Sequence, residues 1–195
     1  MAKIFGNFHL ALLIGVVLLI AAMFGLHQEA IGMDGYWAQW LRFVHVFAGV
    51  LWIGLLYYFN FVQIPTMPKV PAELKPAVSK YIAPAALFWF RWAALATVVL
   101  GLLVAEMQQA GYSADALLLR DGYRTIGIGM WLGIVMAANV WFIIWPNQKK
   151  ALGIVAAEDA AKAKAASTAM MGSRTNLILS FPMLYCMVGQ THIGG

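Results

Sequence analysis

The sequence is poor in charged residues. Only 11% of its 195 residues are Asp, Glu, Lys or Arg, whereas a soluble domain usually carries about a quarter. No charged residue occurs at positions 43–64 or 125–148, and each stretch exceeds the roughly 20 residues that a helix needs to cross a bilayer. This composition excludes a soluble domain, a disordered chain and a module that binds nucleic acid. It predicts an integral membrane protein whose first partner is the lipid bilayer.

Cysteine is nearly absent as well. Cys186 is the single cysteine, which excludes an internal disulfide and any Cys-based metal or iron–sulfur cluster within this chain. The apolar run after Lys3 is not followed by a small-x-small cleavage site, so we expect the first hydrophobic segment to remain in the protein as a helix. Walker loops, His-Glu-x-x-His and paired catalytic carboxylates are also missing from the sequence, and no enzyme class follows from such motifs.

Hydrophobic residues dominate instead, at 63% of the chain. They predict five transmembrane helices, at about 8–27, 41–64, 81–106, 123–146 and 175–193. We expect an all-α integral membrane protein in which residues 1–195 form a single transmembrane helical domain, with four of the helices in a bundle. Prolines predict an irregular loop after the second span and a stop at Trp145-Pro146 after the fourth. The Ala-rich segment before the fifth span predicts a helix on the membrane surface.

The cations predict the orientation. Excluding Arg91, nine Lys or Arg residues lie on the side of the N-terminus and three lie on the other side. The nine are Lys3, Lys69, Lys75, Lys80, Lys149, Lys150, Lys162, Lys164 and Arg174, and the three are Arg42, Arg120 and Arg124. Because cytoplasmic loops retain an excess of cations, this bias places the N-terminus in the cytoplasm and the C-terminus outside.

His45 is the strongest candidate for a functional residue, because an ionisable group near a membrane is costly unless it is satisfied. It lies about one turn inside the predicted second span. Gly49, at i+4, would leave room for a flat group, and Arg42, at i−3, would pair with a haem propionate. We therefore predict a haem b in the outer leaflet with His45 and His192 as its metal ligands and His27 as the reserve ligand. The alternative is that these histidines are bonded to water or to carbonyl groups.

Arg91 is the single formal charge deep inside a predicted span, because Arg42, Glu106 and Arg124 lie at the first two or the last positions of theirs. It lies roughly ten residues, or about 15 Å, beyond the start of that span, so we expect a partner or a water-filled cavity. One reading is a site that binds a propionate, another anion or a quinone carbonyl. The other reading is structural, with Asn60 or Asn139 as a hydrogen-bond partner, or with Trp89 and Trp92 stacked on the guanidinium.

Several sequence stretches resemble one known family. They are Trp52-Ile53-Gly54 after His45, Phe90-Arg91-Trp92, the run from Met136 through Asn139 to Lys150, and the run from Arg174 through Phe181-Pro182 to His192. Together they resemble the membrane region of the bacterial membrane-bound urate oxidase (urate hydroxylase) family. The resemblance implies redox work at the outer face of a bacterial inner membrane, next to a periplasmic cytochrome c.

Two departures from the family pattern are visible. The sequence contains no Cys-x-x-Cys-His, so the resemblance is to a short form without the cytochrome c domain. The last helix opens with Thr175-Asn176-Leu177, where the family has His-Asn-Asn.

Three functions remain open from the sequence. The first is a haem b-binding redox protein that exchanges electrons with a periplasmic cytochrome c or a partner oxidoreductase. The second is a urate-oxidising membrane enzyme, as the resemblance implies. The third is a non-catalytic accessory subunit of a larger membrane respiratory or monooxygenase complex, or a homo-oligomer. In that case the small residues Gly129, Gly133 and Ala137 would form the interface.

Overall fold

The computed structural model describes residues 6–33 and 35–192, except for the side chains of residues 191 and 192. Every regular element in this part of the chain is helical, which confirms the all-α prediction there. The helices are α1 (Phe8–Ala30), α2 (Tyr36–Lys69), α3 (Lys75–Gln108), α4 (Tyr112–Leu117), α5 (Arg124–Ala151) and α6 (Asp159–His192). The chain divides into two compact units, residues 1–40 and 41–195.

The first unit is dominated by α1. The Asn7 side chain caps this helix by accepting a hydrogen bond from the Leu10 N–H at 3.2 Å. The helix is apolar on all sides, and no residue of Phe8–His27 is buried. A helix that is hydrophobic all round suits a lipid environment.

Four helices of the second unit share one hydrophobic core. Its buried members are Trp52, Ile53, Leu56 and Phe59 on α2, Leu87, Phe90, Ala93 and Ala94 on α3, Met136, Ala137, Val140 and Ile144 on α5, and Met183 on α6. Helices α2 and α3 run in opposite directions, because His45 is bonded to Thr97 whereas Phe59 contacts Phe90. Below, the His45 end is the end where α2 begins and α3 ends, and the proline end is the opposite end.

Three prolines at the proline end are accommodated by wide helical turns. Residues 58–63, 78–82 and 140–144 are π-helical, and each segment ends two positions before a proline: Pro65, Pro84 or Pro146. In each case the residue before the proline donates its N–H to the carbonyl five positions back. A proline has no N–H, and its ring clashes with the carbonyl at i−4, so the wider turn lets the helix continue.

These turns correct two expectations. The loop predicted from Pro65, Pro68, Pro71 and Pro76 is wrong except at Pro71, because α2 continues through Pro65 and Pro68 to Lys69 and α3 begins at Lys75. The predicted stop at Trp145-Pro146 is also wrong, because α5 continues to Ala151. The non-helical connection between α2 and α3 is confined to residues 70–74.

Buried amides join α5 to α6. Asn176 is fully buried and donates to the Met136 carbonyl at 3.0 Å, while it accepts from Asn139 Nδ2 at 2.7 Å. Asn139 Nδ2 also donates to the Gly172 carbonyl at 2.8 Å. Polar side chains that bond across helices hold membrane bundles together where there is no hydrophobic driving force between helices.

Glycines allow the same two helices to approach closely. A Cβ atom on Gly129 would lie 3.0 Å from the Cβ of Cys186, and one on Gly172 would lie 3.0 Å from Ile144 Cγ1. Gly133 has no such neighbour within 4 Å. The predicted stripe of small residues therefore contributes to packing within the chain at Gly129.

Four helices in the described residues are long and apolar enough to cross a membrane: α1, α2, α3 and α5. They contain the first four predicted spans. Residues 175–192 of the fifth predicted span form the second half of α6, which begins at Asp159 and is not among these four, and residue 193 lies outside the described residues. The count of five spans and their orientation stay predictions.

Candidate functional site

A cavity of about 560 Å³ lies at the His45 end of the second unit. Its wall contains residues from all four long helices, including His45 and Trp52 of α2, Gly101 of α3, Met130 of α5 and Met187 of α6. The volume is within the range of roughly 300–1,000 Å³ that is typical of small-molecule and cofactor sites. Most of the wall is apolar, so its few polar groups decide what the cavity can bind.

The imidazole of His45 is oriented by a backbone carbonyl. Its Nδ1 lies 2.9 Å from the Thr97 oxygen. A carbonyl oxygen can only accept a hydrogen bond, so Nδ1 carries the proton, and in the neutral ring Nε2 keeps its lone pair. Histidines that ligate metals almost always donate their second ring N–H to a carboxylate, a carbonyl or water. The geometry of His45 therefore suits a ligand.

Gly101 provides the space for this ring. A Cβ atom at position 101 would lie 2.9 Å from His45 Cε1 and 3.2 Å from Nδ1, which is closer than carbon atoms tolerate. At Gly49 an added Cβ would lie 3.8 Å from Thr97 Cγ2, an ordinary contact. The room for a flat group that we predicted at Gly49 stays a prediction, whereas the close approach to the His45 ring is at Gly101, on the facing helix.

Arg42 and Tyr112 add polar groups to the wall of the cavity. Arg42 is exposed at the start of α2. Tyr112 lies on α4 and packs edge-to-face on Tyr123, with 4.9 Å between the ring centroids. Burial raises the pKa of the Tyr112 phenol above its ordinary value, and Tyr123 adds to the rise. The phenol is therefore protonated at neutral pH, and its hydroxyl can donate to an anionic group.

The structure brings three of the six predicted site residues together: His45, Arg42 and Gly49 all line this cavity. The side chain of His192 lies outside the described residues, and its backbone ends α6. His27 is exposed and belongs to the first unit.

Arg91 is not among the residues that line the cavity. Its guanidinium carbon lies 3.8 Å from the ring centroid of Trp145 and 5.4 Å from that of Phe88. The expected cation–π stacking is present, but on Trp145 and Phe88 rather than on Trp89 and Trp92.

The two asparagines expected as partners of Arg91 are bonded elsewhere. Asn60 donates to the Leu56 carbonyl and to Ser173, and Asn139 donates to Gly172 and Asn176. No ion pair of Arg91 is found in the described part of the chain.

Sequence reasoning missed four residues of the site, and one of them is Tyr112. Thr97 and Gly101 position the His45 ring, and nothing in the sequence near His45 points to them. Trp52 lines the cavity, is 1% exposed, and has no hydrogen-bond partner for its Nε1 within the described residues. It follows His45 by seven positions, so it lies on the same helical face about 10 Å farther along. That spacing is a usable signal.

These residues fit a haem better than a bare metal ion. No group of three or more His, Cys, Asp or Glu residues that could hold a metal ion occurs among the described residues. A haem needs only one or two axial ligands from the protein, and imidazole is a common one. The volume and apolar wall of the cavity, together with the polar groups of Arg42 and Tyr112, suit a macrocycle that carries carboxylates.

The comparisons with known proteins concern the second half of the chain. A family model described as urate oxidase N-terminal matches residues 118–194. The matched region contains α5 and α6, and it includes Met130, Met187 and the Asn139–Asn176 pair but not His45. This match supports a relationship to urate oxidases. No curated protein and no solved structure matches the chain.

Proposed function

We propose that the chain is a membrane-embedded haem b-binding protein that exchanges electrons with a periplasmic cytochrome c or another partner oxidoreductase. The observation that carries this proposal is the hydrogen bond from His45 Nδ1 to Thr97, which leaves Nε2 free at the wall of a large apolar cavity. When bound, haem supplies a one-electron redox couple that few side chains could provide.

Five residues would hold that group. His45 Nε2 would ligate the iron, and Gly101 leaves room for the imidazole ring. Arg42 and Tyr112 would bind the propionates, because a guanidinium and a protonated phenol both donate to carboxylates. Trp52 Nε1 is a buried donor for an oxygen or nitrogen acceptor deeper in the cavity.

The second axial ligand is proposed to be His192, at the end of α6. The methionines Met130, Met183 and Met187 also line the cavity, and a thioether is the other common partner of a histidine on haem iron. The spectrum of the ferric protein separates the two, because bis-histidine and histidine–methionine sites differ in their low-spin electron paramagnetic resonance signals.

The membrane setting belongs to the same proposal. Five spans in a bacterial inner membrane, with the N-terminus in the cytoplasm, would place His45 in the periplasmic leaflet. The four membrane-length apolar helices and the bias of nine cations against three support this arrangement. There, a periplasmic electron carrier could approach the site.

The visible absorption spectrum of the purified full-length protein tests the proposal. We expect a reducible b-type spectrum in the wild type and loss of haem, or of its low-spin spectrum, in His45→Ala. His9→Ala is the matched control, because His9 is an exposed histidine on α1. A colourless wild type from haem-replete cells would favour an accessory subunit. A low-spin spectrum that survives in His45→Ala would remove His45 from the site.

Urate oxidation is the second candidate, and the family match over residues 118–194 favours it. Its test is the consumption of urate, followed by its ultraviolet absorbance, with an added soluble cytochrome c as electron acceptor. Turnover by the wild type that is lost in His45→Ala would make the chain a urate-oxidising enzyme. If the haem-loaded protein does not consume urate, urate oxidation is excluded and electron transfer is the function that remains.

A further inference from the structure

A second cavity, of about 510 Å³, lies at the proline end of the same unit. It shares no lining residue with the His45 cavity. Its wall includes Phe59, Gln63, Lys75, Phe90, Gln148 and Ser173, which come from α2, α3, α5 and α6. The haem proposal makes no use of any of them.

One wall of this cavity is aromatic. Phe59 and Phe90 are both buried and meet edge-to-face, with 5.5 Å between their ring centroids. Phe59 and Gln63 both belong to the π-helical turn of α2. Turns of this type occur frequently at functional sites, and here the turn places an aromatic ring and an amide in the same wall.

The polar groups of the cavity are few and incompletely paired. Gln63 Oε1 is buried and has no hydrogen-bond partner among the described residues, and such an unpaired acceptor is costly. Lys75 is half-buried and forms no ion pair in the described part of the chain. The wall thus contains Gln63 Oε1, which lacks a hydrogen-bond donor, and the Lys75 ammonium, which could donate to an electron-rich oxygen of a ligand.

We propose that this cavity binds the head group of a membrane quinol. A quinol is a flat ring with an oxygen at each end. One hydroxyl would donate to Gln63 Oε1, the opposite oxygen would accept from the Lys75 ammonium, and the ring would lie against Phe59 and Phe90. The isoprenoid tail of such a molecule partitions into the bilayer that the apolar helices require. This proposal concerns binding alone and does not depend on a haem at His45.

The test is an anaerobic titration of the purified full-length chain, in nanodiscs of phosphatidylcholine, with the reduced form decylubiquinol, because only the quinol has a hydroxyl that can donate to Gln63 Oε1. We expect saturable binding by the wild type. Gln63→Leu and Lys75→Met each remove one hydrogen bond, which corresponds to a weakening of roughly threefold to tenfold. Lys80→Met is the matched control for the charge, because Lys80 is exposed on the same helix and does not line the cavity.

A steric variant tests the site without removing a polar group. Ala166 is exposed and lines the cavity, so Ala166→Trp should fill it without disturbing the core. Ala163 is exposed on the same helix and is not part of the wall, so Ala163→Trp is its control. We expect binding to be lost in Ala166→Trp and kept in Ala163→Trp.

Three outcomes would overturn the proposal. One is the absence of saturable binding by the wild type. Another is equal binding by the wild type, Gln63→Leu and Ala166→Trp. The last is a phospholipid that copurifies with the wild type, is released by Ala166→Trp and is not displaced by decylubiquinol, which would make the cavity a lipid site. His45→Ala separates the two proposals, because it should lose haem and keep quinol binding.

Discussion

At the scale of single residues, the position of one imidazole depends on a glycine on the facing helix. The His45 ring lies where a side chain at position 101 would begin. The hydrogen bond to the Thr97 carbonyl then decides which ring nitrogen faces a ligand. The space for the ring and the hydrogen bond to it both come from α3, from residues more than fifty positions after His45 in the sequence.

We predict that Gly101→Ala expels the His45 ring from its place. The added methyl group would lie 2.9 Å from Cε1, and overpacking of this kind costs about 1–3 kcal/mol. The variant should lose most of its bound haem while it remains folded, as measured by the haem-to-protein absorbance ratio and by circular dichroism. Gly15→Ala is the control, because a Cβ atom there meets nothing within 4 Å. Equal haem content in both variants would contradict this role.

Arg91 belongs to the packing of the proline end. Arg91→Leu removes the cation that lies 3.8 Å from the Trp145 ring, and we expect the free energy of unfolding to fall by about 1 kcal/mol. Arg91→Lys should recover only part of it, because an ammonium does not stack as a planar guanidinium does. Thermal unfolding in detergent measures the loss. If the haem spectrum of Arg91→Leu differs from that of the wild type, then Arg91 acts at the cofactor site and not only in packing.

The sequence was sufficient to predict that His45, Arg42 and Gly49 lie on one face of a helix, because residues at i−3 and i+4 share a face. It was not sufficient for Thr97 or Gly101. Their role depends on which part of α3 packs against α2, and no local pattern near His45 records that pairing. The partners of Arg91 were missed for the same reason, since Trp145 lies on a helix that is distant in the sequence.

At the scale of helices, the four apolar spans could be predicted from hydrophobicity alone, but their ends could not. Proline was read as a stop, whereas π-helical turns carry α2 and α5 through Pro65 and Pro146. The bond to the carbonyl five positions back is a local response to the missing N–H. Whether a helix then continues depends on what packs beyond the proline, and hydropathy does not contain that information.

We predict that Asn176→Ala weakens the contact between α5 and α6. The variant loses the bond to the Met136 carbonyl and leaves Asn139 without one acceptor, which should lower the free energy of unfolding by about 1–2 kcal/mol. Thr175→Ala is the neighbouring control, because its hydroxyl bonds within α6 to Met171.

A double-mutant cycle with Asn139→Ala sharpens this test. Because the two amides are bonded to each other at 2.7 Å, the combined loss should be smaller than the sum of the single losses. Strict additivity would show that the two amides act independently.

At the scale of the whole molecule, the two cavities lie at opposite ends of one core. In the topology that we propose from the cation bias, the His45 end would lie outside and the proline end in the cytoplasm. If both ends are in membrane leaflets, a haem site would face a periplasmic carrier and a quinol site would open near the cytoplasmic leaflet. This arrangement requires α6 to return across the bilayer as the fifth span.

We predict that positions 162 and 195 lie on opposite sides of the membrane. Lys162 is in the first half of α6, among the cations that are retained in the cytoplasm, whereas Gly195 follows the predicted fifth span. Lys162→Cys and Gly195→Cys, each in a Cys186→Ser background, should therefore react differently with an impermeant thiol reagent. In intact spheroplasts only the cysteine at 195 should be labelled, and after lysis both should be. If both positions react before lysis, or neither does, then α6 does not cross the bilayer and the His45 cavity loses its periplasmic assignment.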